Sequence, residues 1–159
     1  SVKYLKACRQ IGLLKDELNK VNYELRKTKQ DYEKILEHAK NGLPNEACGL
    51  LGGTVEGDDQ TVTDVYLLRN VDESREHFSM APAEQLAAVK DIRSKGRQLL
   101  GNFHSHPESP SRPSKEDIRL AFDPKMHYMI LSLQDAEHPV LNSFHIEKGE
   151  VTKEELFVR

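Results

Sequence analysis

The stretch Gly101-Asn-Phe-His-Ser-His-Pro-Glu-Ser-Pro-Ser-Arg-Pro-Ser-Lys-Glu-Asp117 decides how the rest of the chain is read. The largely apolar run from Gln98 to Phe103 predicts a buried strand that continues straight into His104-Ser105-His106-Pro107. Side chains two apart on a strand share a face, so both imidazoles can reach one point at its end. Pro107 has no backbone donor and stops the ladder there. After a Ser/Pro/Arg loop, Pro113-Ser114-Lys115-Glu116-Asp117 opens a helical pattern and puts Asp117 in the first turn. Two histidines and a carboxylate, fixed by a strand end and a helix start, would form a three-ligand zinc site with an open fourth position.

Upstream of that stretch, Leu43-Pro44-Asn45-Glu46-Ala47-Cys48-Gly49-Leu50-Leu51-Gly52-Gly53 reads as a short apolar strand with one acid at its entry. Thr61 to Val71 alternates and predicts a strand after the polar turn Glu56-Gly57-Asp58-Asp59, and His77 to Met80 predicts another short one. Pro82 suits the first turn of a helix whose apolar face is Leu86, Val89 and Ile92 and which ends before Gly96. Downstream, a helix is expected from Ser114 to Phe122, strands at Met126 to Leu133 and Leu141 to Ile146, and a last strand or tail at Val151 to Val158.

The N-terminal third reads less clearly. Residues 4–20 show a loose helical period that Gly12 weakens, and Val21 to Leu25 alternates like a strand. Thr28 could cap a helix from Lys29, with Tyr32, Ile35, Leu36 and Ala39 on one face and Gly42 at its end. His38 is expected to pack rather than to bind. Residues 1–20 are therefore expected to be a helical arm or linker, and residues 21–159 a single domain. Strands mixed with helices argue for an α/β or α+β sheet flanked by helices.

Composition narrows the function classes. A net charge of −3 gives no reason to expect nucleic-acid binding. Residues 1–40 carry a charge of +4 and residues 41–159 carry −7, so a mildly basic arm precedes an acidic body. Cys8 and Cys48 form no CxxC, which suits a reducing cytoplasm. No apolar stretch reaches bilayer length, so no membrane association is expected. Spacing also excludes several zinc chemistries: there is no H-E-x-x-H and no H-x-E with a later P-C-x-x-C.

What remains is H-S-H-P, six residues, Ser114, two residues and Asp117, with Glu46 upstream in N-E-A-C-G-L-L-G-G. That set resembles the JAMM motif of the MPN (Mov34/PAD-1) zinc metallopeptidases over about residues 21–148. The resemblance implies a single MPN domain with a curved, mostly antiparallel central sheet flanked by helices in a deaminase-like three-layer arrangement. It also implies that His104, His106 and Asp117 ligate one zinc ion, that Glu46 is the general base, and that Ser114 helps stabilise the oxyanion. In such a site zinc acidifies a bound water, a carboxylate relays its proton to the leaving amine, and a hydroxyl faces the developing charge.

Family substrates are peptide or isopeptide bonds after the Gly-Gly tail of ubiquitin or of ubiquitin-like sulfur-carrier proteins. The short span after Asp117 is similar to compact prokaryotic members, which points to a small β-grasp carrier as the substrate partner. Two other readings are a catalytically silent MPN scaffold that binds a partner protein and a zinc hydrolase acting on a small-molecule amide. Arg112 could contact substrate, Cys48 is expected to be a core thiol, and Ser105 is expected to face away from the zinc. The arm could cover the tail groove or pair two protomers as a homodimer.

Overall fold

The computed structural model describes residues 2–158, with side chains described at 10–17 and 29–158. The chain folds as helix α1 (Val2–Gly42), strands β1 (Cys48–Glu56) and β2 (Asp59–Leu68), helix α2 (Pro82–Ser94), strand β3 (Gln98–His106), the short helix α3 (Lys115–Arg119), and strands β4 (His127–Ser132), β5 (Val140–Glu147) and β6 (Glu150–Glu154). The six strands form one sheet in the order β2-β1-β3-β4-β5-β6. Every neighbouring pair is antiparallel except β3 and β4. That parallel pair needs a crossover. The crossover is the loop and helix carrying Ser114 and Asp117.

Alternation along the strands sorts the side chains to two faces. On one face Leu51, Phe103, Met129, Leu131 and Leu133 pack against Ile35 and Ala39 of α1. On the other, Leu50 and Leu68 meet Ala88 of α2, while Ile130, Phe144 and Ile146 meet Ile118 and Ala121 beside α3. The result is the expected three layers, with His104 and His106 on the α2/α3 face by their alternation with Phe103. Gly49 permits the close packing of the first layer: a methyl group there would run into the Phe103 ring and the Tyr66 carbonyl.

Three sequence expectations fail. The strand expected at Val21 to Leu25 is helix, because α1 runs unbroken from Val2 to Gly42 and needs no cap at Thr28. Val21 and Leu25 are also four apart, so the same letters fit a helix face. His77 to Met80 forms only an isolated bridge, Asn70 to Met80, because side-chain hydrogen bonds take up the backbone groups there. The helix expected through Phe122 stops at Arg119, with Leu120 as its cap. Elsewhere boundaries move by a few residues. β1 runs through Gly52 and Gly53 to Glu56, and Glu46 lies just before it. Pro82 does begin α2, and Gly96 follows it at φ 66°.

Candidate metal centre

At the C-terminal end of β3, His104 and His106 are both buried on one face of the sheet. Their Nε2 atoms lie 3.1 Å apart. Asp117 Oδ2 reaches both, at 3.2 Å from His104 Nε2 and 3.1 Å from His106 Nε2. Three donor atoms from a strand end and a helix start therefore converge, all within 4.8 Å of one another. Two imidazole nitrogens and one carboxylate oxygen suit zinc, and three protein ligands leave a coordination position open. The residues fit the metal that the motif implies.

The supports of these ligands differ. His106 Nδ1 lies 2.9 Å from the Pro110 carbonyl, to which its N–H can donate, leaving Nε2 as a lone pair for the site. His104 Nδ1 is buried with no hydrogen-bond partner. Its ring is instead held by stacking on Phe78, with centroids 4.6 Å apart and planes at 23°. Asp117 is aimed by a capping box: the Asp117 N–H donates to Ser114 Oγ at 3.0 Å, and the Ser114 N–H donates to Asp117 Oδ2 at 2.9 Å. Ser114 thus spends an acceptor lone pair on the cap and keeps its hydroxyl hydrogen for another partner. The loop between is stapled down: Ser132 Oγ donates to the Ser109 carbonyl and Ser111 Oγ to the Ile130 carbonyl, both at 2.6 Å.

Glu46 is buried, and its Oε2 has no hydrogen-bond partner. Burial pushes its carboxyl up to about 8; the charge on His106 pulls against this, and Asp117 adds to it. Glu46 is thus electrically coupled to the cluster. The cluster itself is polarised. Burial lowers His104, while burial of His106 is outweighed by its hydrogen bonds to Asp117 and Pro110, which raise it. Burial of Asp117 is likewise outweighed by the two imidazoles, which hold its carboxyl well below the usual range.

The segment carrying Glu46 is fixed by residues that the sequence reading passed over or underrated. Ser105, between the two histidines, is buried, and its Oγ accepts the Ala47 N–H at 2.8 Å while its own N–H donates to the Ala47 carbonyl at 2.9 Å. Asn70 is a second anchor of this segment. Its buried amide donates to the carbonyls of Glu46 at 3.0 Å and His77 at 2.9 Å, and its Oδ1 accepts from the N–H groups of Asp72 and Ser79, each at 3.1 Å. One side chain therefore ties the Glu46 backbone to the loop that presents Phe78 to His104. No local pattern marks it, because its partners are scattered over residues 46–79.

The remaining candidates are not among the three converging ligand residues. The Cys48 thiol is buried, pushed up to about 12 by that burial, and lies 3.9 Å from the Leu68 carbonyl. His38 Nε2 lies 3.1 and 3.0 Å from the Cys48 and Leu68 carbonyls and so packs α1 onto the sheet. His77 pairs with Glu116 at 2.7 Å, and His138 with Asp135 at 2.9 Å. Arg112 is exposed in the metal loop.

The family model for prokaryotic homologues of the JAB domain matches residues 28–147. The CysO-cysteine peptidase of Mycobacterium tuberculosis is 31% identical over 120 residues, 76% of this chain and 81% of that protein. The desampylase of Haloferax volcanii is 37% identical over 105 residues, 63% of this chain and 74% of that protein. Among solved structures, a solution structure of a protein from Desulfitobacterium hafniense is similar with a TM-score of 0.76 and 56% identity, covering 82% of this chain and 89% of that one. A protein from Salinibacter ruber is similar with a TM-score of 0.60 and 28% identity, covering 78% of this chain and 84% of the other.

Proposed function

The chain belongs to the prokaryotic JAB branch of the JAMM/MPN family and is a JAMM-type hydrolase, and from that premise we propose that it is a zinc peptidase cutting after the Gly-Gly tail of a small sulfur-carrier or ubiquitin-like protein. The observation that carries the reading is the convergence of His104 Nε2, His106 Nε2 and Asp117 Oδ2 beside the buried carboxyl of Glu46. The names of the relatives support the substrate class: a CysO-cysteine peptidase, desampylases and a probable TtuB-protein conjugate cleaving protease.

His104, His106 and Asp117 would hold one zinc ion, and Glu46 would not be a ligand, since a fourth protein ligand would close the site. When bound, zinc supplies Lewis acidity, lowering the pKa of water from 15.7 to about 7 and polarising a carbonyl. The chain's own residues do the rest. Glu46, buried and electrically coupled to the cluster, would act in its carboxylate form, taking a proton from the attacking water and returning it to the leaving amine. The Ser114 hydroxyl, whose lone pair is committed to the helix cap, directs its hydrogen toward the carbonyl oxygen as charge develops there. Asp117 and His106, already bonded to their supports, need no reorganisation. An extended carrier tail would reach the cluster by adding alongside the sheet, and glycines suit a narrow approach.

The test is cleavage of a Gly-Gly-tailed carrier fusion in parallel with a ubiquitin fusion, with and without chelator. The carrier fusion is expected to be cut in a chelator-sensitive way. Asp117→Ala should lose both zinc and cleavage. Turnover of neither fusion by zinc-loaded protein would refute this reading in favour of a silent scaffold or a small-molecule hydrolase.

A further inference from the structure

Helix α1 is far longer than the sheet it packs on. At 1.5 Å per residue its 41 residues span about 60 Å. Among its described side chains, the buried ones lie in the C-terminal part, where Ile35 and Ala39 enter the fold. In the described segment at 10–17 every residue is exposed, including Ile11 at 66%, Leu13 at 58% and Leu14 at 64%. In proteins most helical stability comes from packing an apolar face.

The sequence shows which face that is. Steps of three and four residues run from Tyr4 through Ile11, Leu14, Leu18, Val21 and Leu25, and the same register arrives at Ile35 and Ala39. Every place in that register between residues 4 and 39 is apolar except Thr28. N-terminal to the part that packs on the sheet, from Tyr4 to Leu25, this 3.5-residue repeat runs for three heptads, the pattern of a coiled-coil seam. Gly12, the weak point of the helix, falls outside the seam with open space around it. Leu13 also falls outside it.

We propose that α1 pairs with the α1 of a second copy of this chain as a parallel two-stranded coiled coil, through the seam that Ile11 and Leu14 occupy. The occupant follows from the flanking charges. With Ile11 at position a, the g positions are Gln10, Glu17 and Glu24, and the e positions are Lys15, Asn22 and Lys29. In a parallel pair each g residue faces the e residue five places on in the other helix, which sets Gln10 against Lys15, Glu17 against Asn22 and Glu24 against Lys29. An antiparallel pair would set Glu against Glu and Lys against Lys. The seam is therefore self-complementary in one orientation only, and the folded domains emerge together at its C-terminal end.

Sedimentation equilibrium of the full chain tests this, with near-UV circular dichroism confirming that the domain is folded in each variant. The wild type is expected at twice the 18.1 kDa chain mass. Ile11→Asp combined with Leu14→Asp should give single chains, whereas Leu13→Asp, equally apolar in origin but off the seam, should stay paired. Lys29→Glu should weaken pairing several-fold, and adding Glu24→Lys should restore it. A wild type at single-chain mass overturns the proposal, as does equal dissociation by Leu13→Asp and by the seam double variant. Tighter pairing in Lys29→Glu alone overturns the parallel orientation.

Discussion

Glu46 carries two consequences that a single substitution separates. Glu46→Gln should keep zinc, because the three ligand atoms are untouched, and should lose turnover by about 10²–10⁴-fold, the usual worth of a positioned acid–base group. Zinc content and carrier cleavage measured on one preparation check this, and an active Glu46→Gln would remove the general base from the mechanism. The second consequence appears without metal. Burial raises the Glu46 carboxyl to about 8 from an ordinary 4.5. Such a group leaves stability intact below pH 4.5 and withdraws it as pH climbs toward and through 8, because the unfolded state ionises first. Glu46→Gln should flatten that decline in chelator-treated protein, as read from urea midpoints across this range. His106 gives the matching prediction for the metal. Its pKa is raised by Asp117 and Pro110 against the pull of burial, so zinc must displace a proton. Apparent zinc affinity should rise with pH through and above the ordinary histidine range. Calorimetry in buffers of different ionisation enthalpy should show proton release.

At the scale of elements, much of the site was legible because it is local. The spacing of His104 and His106 follows from strand alternation, and Ser114 with Asp117 follows from the cap of a helix, so each pair needs only its own few residues. Glu46 was legible only through the family motif, since it sits just before β1 and 58 residues from the first histidine. What stayed hidden was long-range or ambiguous in period. Val21 to Leu25 satisfies both strand and helix spacing, and only the continuity of α1 decides it. Residues 77–80 looked like a strand because nothing in His77-Phe78-Ser79-Met80 reveals that Asn70 takes its hydrogen bonds. Asn70→Ala should therefore leave the buried Glu46 carbonyl and the partly buried His77 carbonyl without their donor, at about 1–3 kcal/mol for the buried one. It should lower turnover while leaving zinc bound, since no ligand contacts Asn70 directly. Thermal unfolding, zinc content and turnover together distinguish this from simple loss of fold, and Asn70→Asp, which keeps the acceptor but not the donor, should resemble Asn70→Ala.

Over the whole molecule, the sheet is held at both edges by a residue in its middle. His127 opens β4, yet its Nδ1 lies 2.7 Å from Glu154 Oε2 on the β6 edge and its Nε2 lies 2.6 Å from Gln60 Oε1 on the β2 edge. Ser143 Oγ donates to the same Glu154 oxygen at 2.8 Å. A neutral imidazole has one N–H, so His127 can donate to both edges only as the cation. The hydrogen bond to Glu154 raises His127 above its ordinary 6.5 against the cost of burial. Burial of Glu154 is outweighed by the bonds from His127 and Ser143, which lower it. The histidine's contribution is complete below pH 6.5 and is lost as pH rises through its raised pKa. The carboxylate's is complete above 4.5 and is lost as pH falls through its lowered pKa. The clasp is therefore strongest between these limits, in mildly acidic solution. Both groups are partly exposed, so the pair is worth no more than about 1 kcal/mol. In a domain of this size that corresponds to roughly 2–4 °C in Tm. His127→Phe should lower Tm by that amount near pH 6 and by much less near pH 9, and equal losses at both pH values would assign His127 to packing rather than to charge. Because the clasp lies at the end of β4 away from the metal ligands, turnover at a fixed temperature well below Tm should be unchanged.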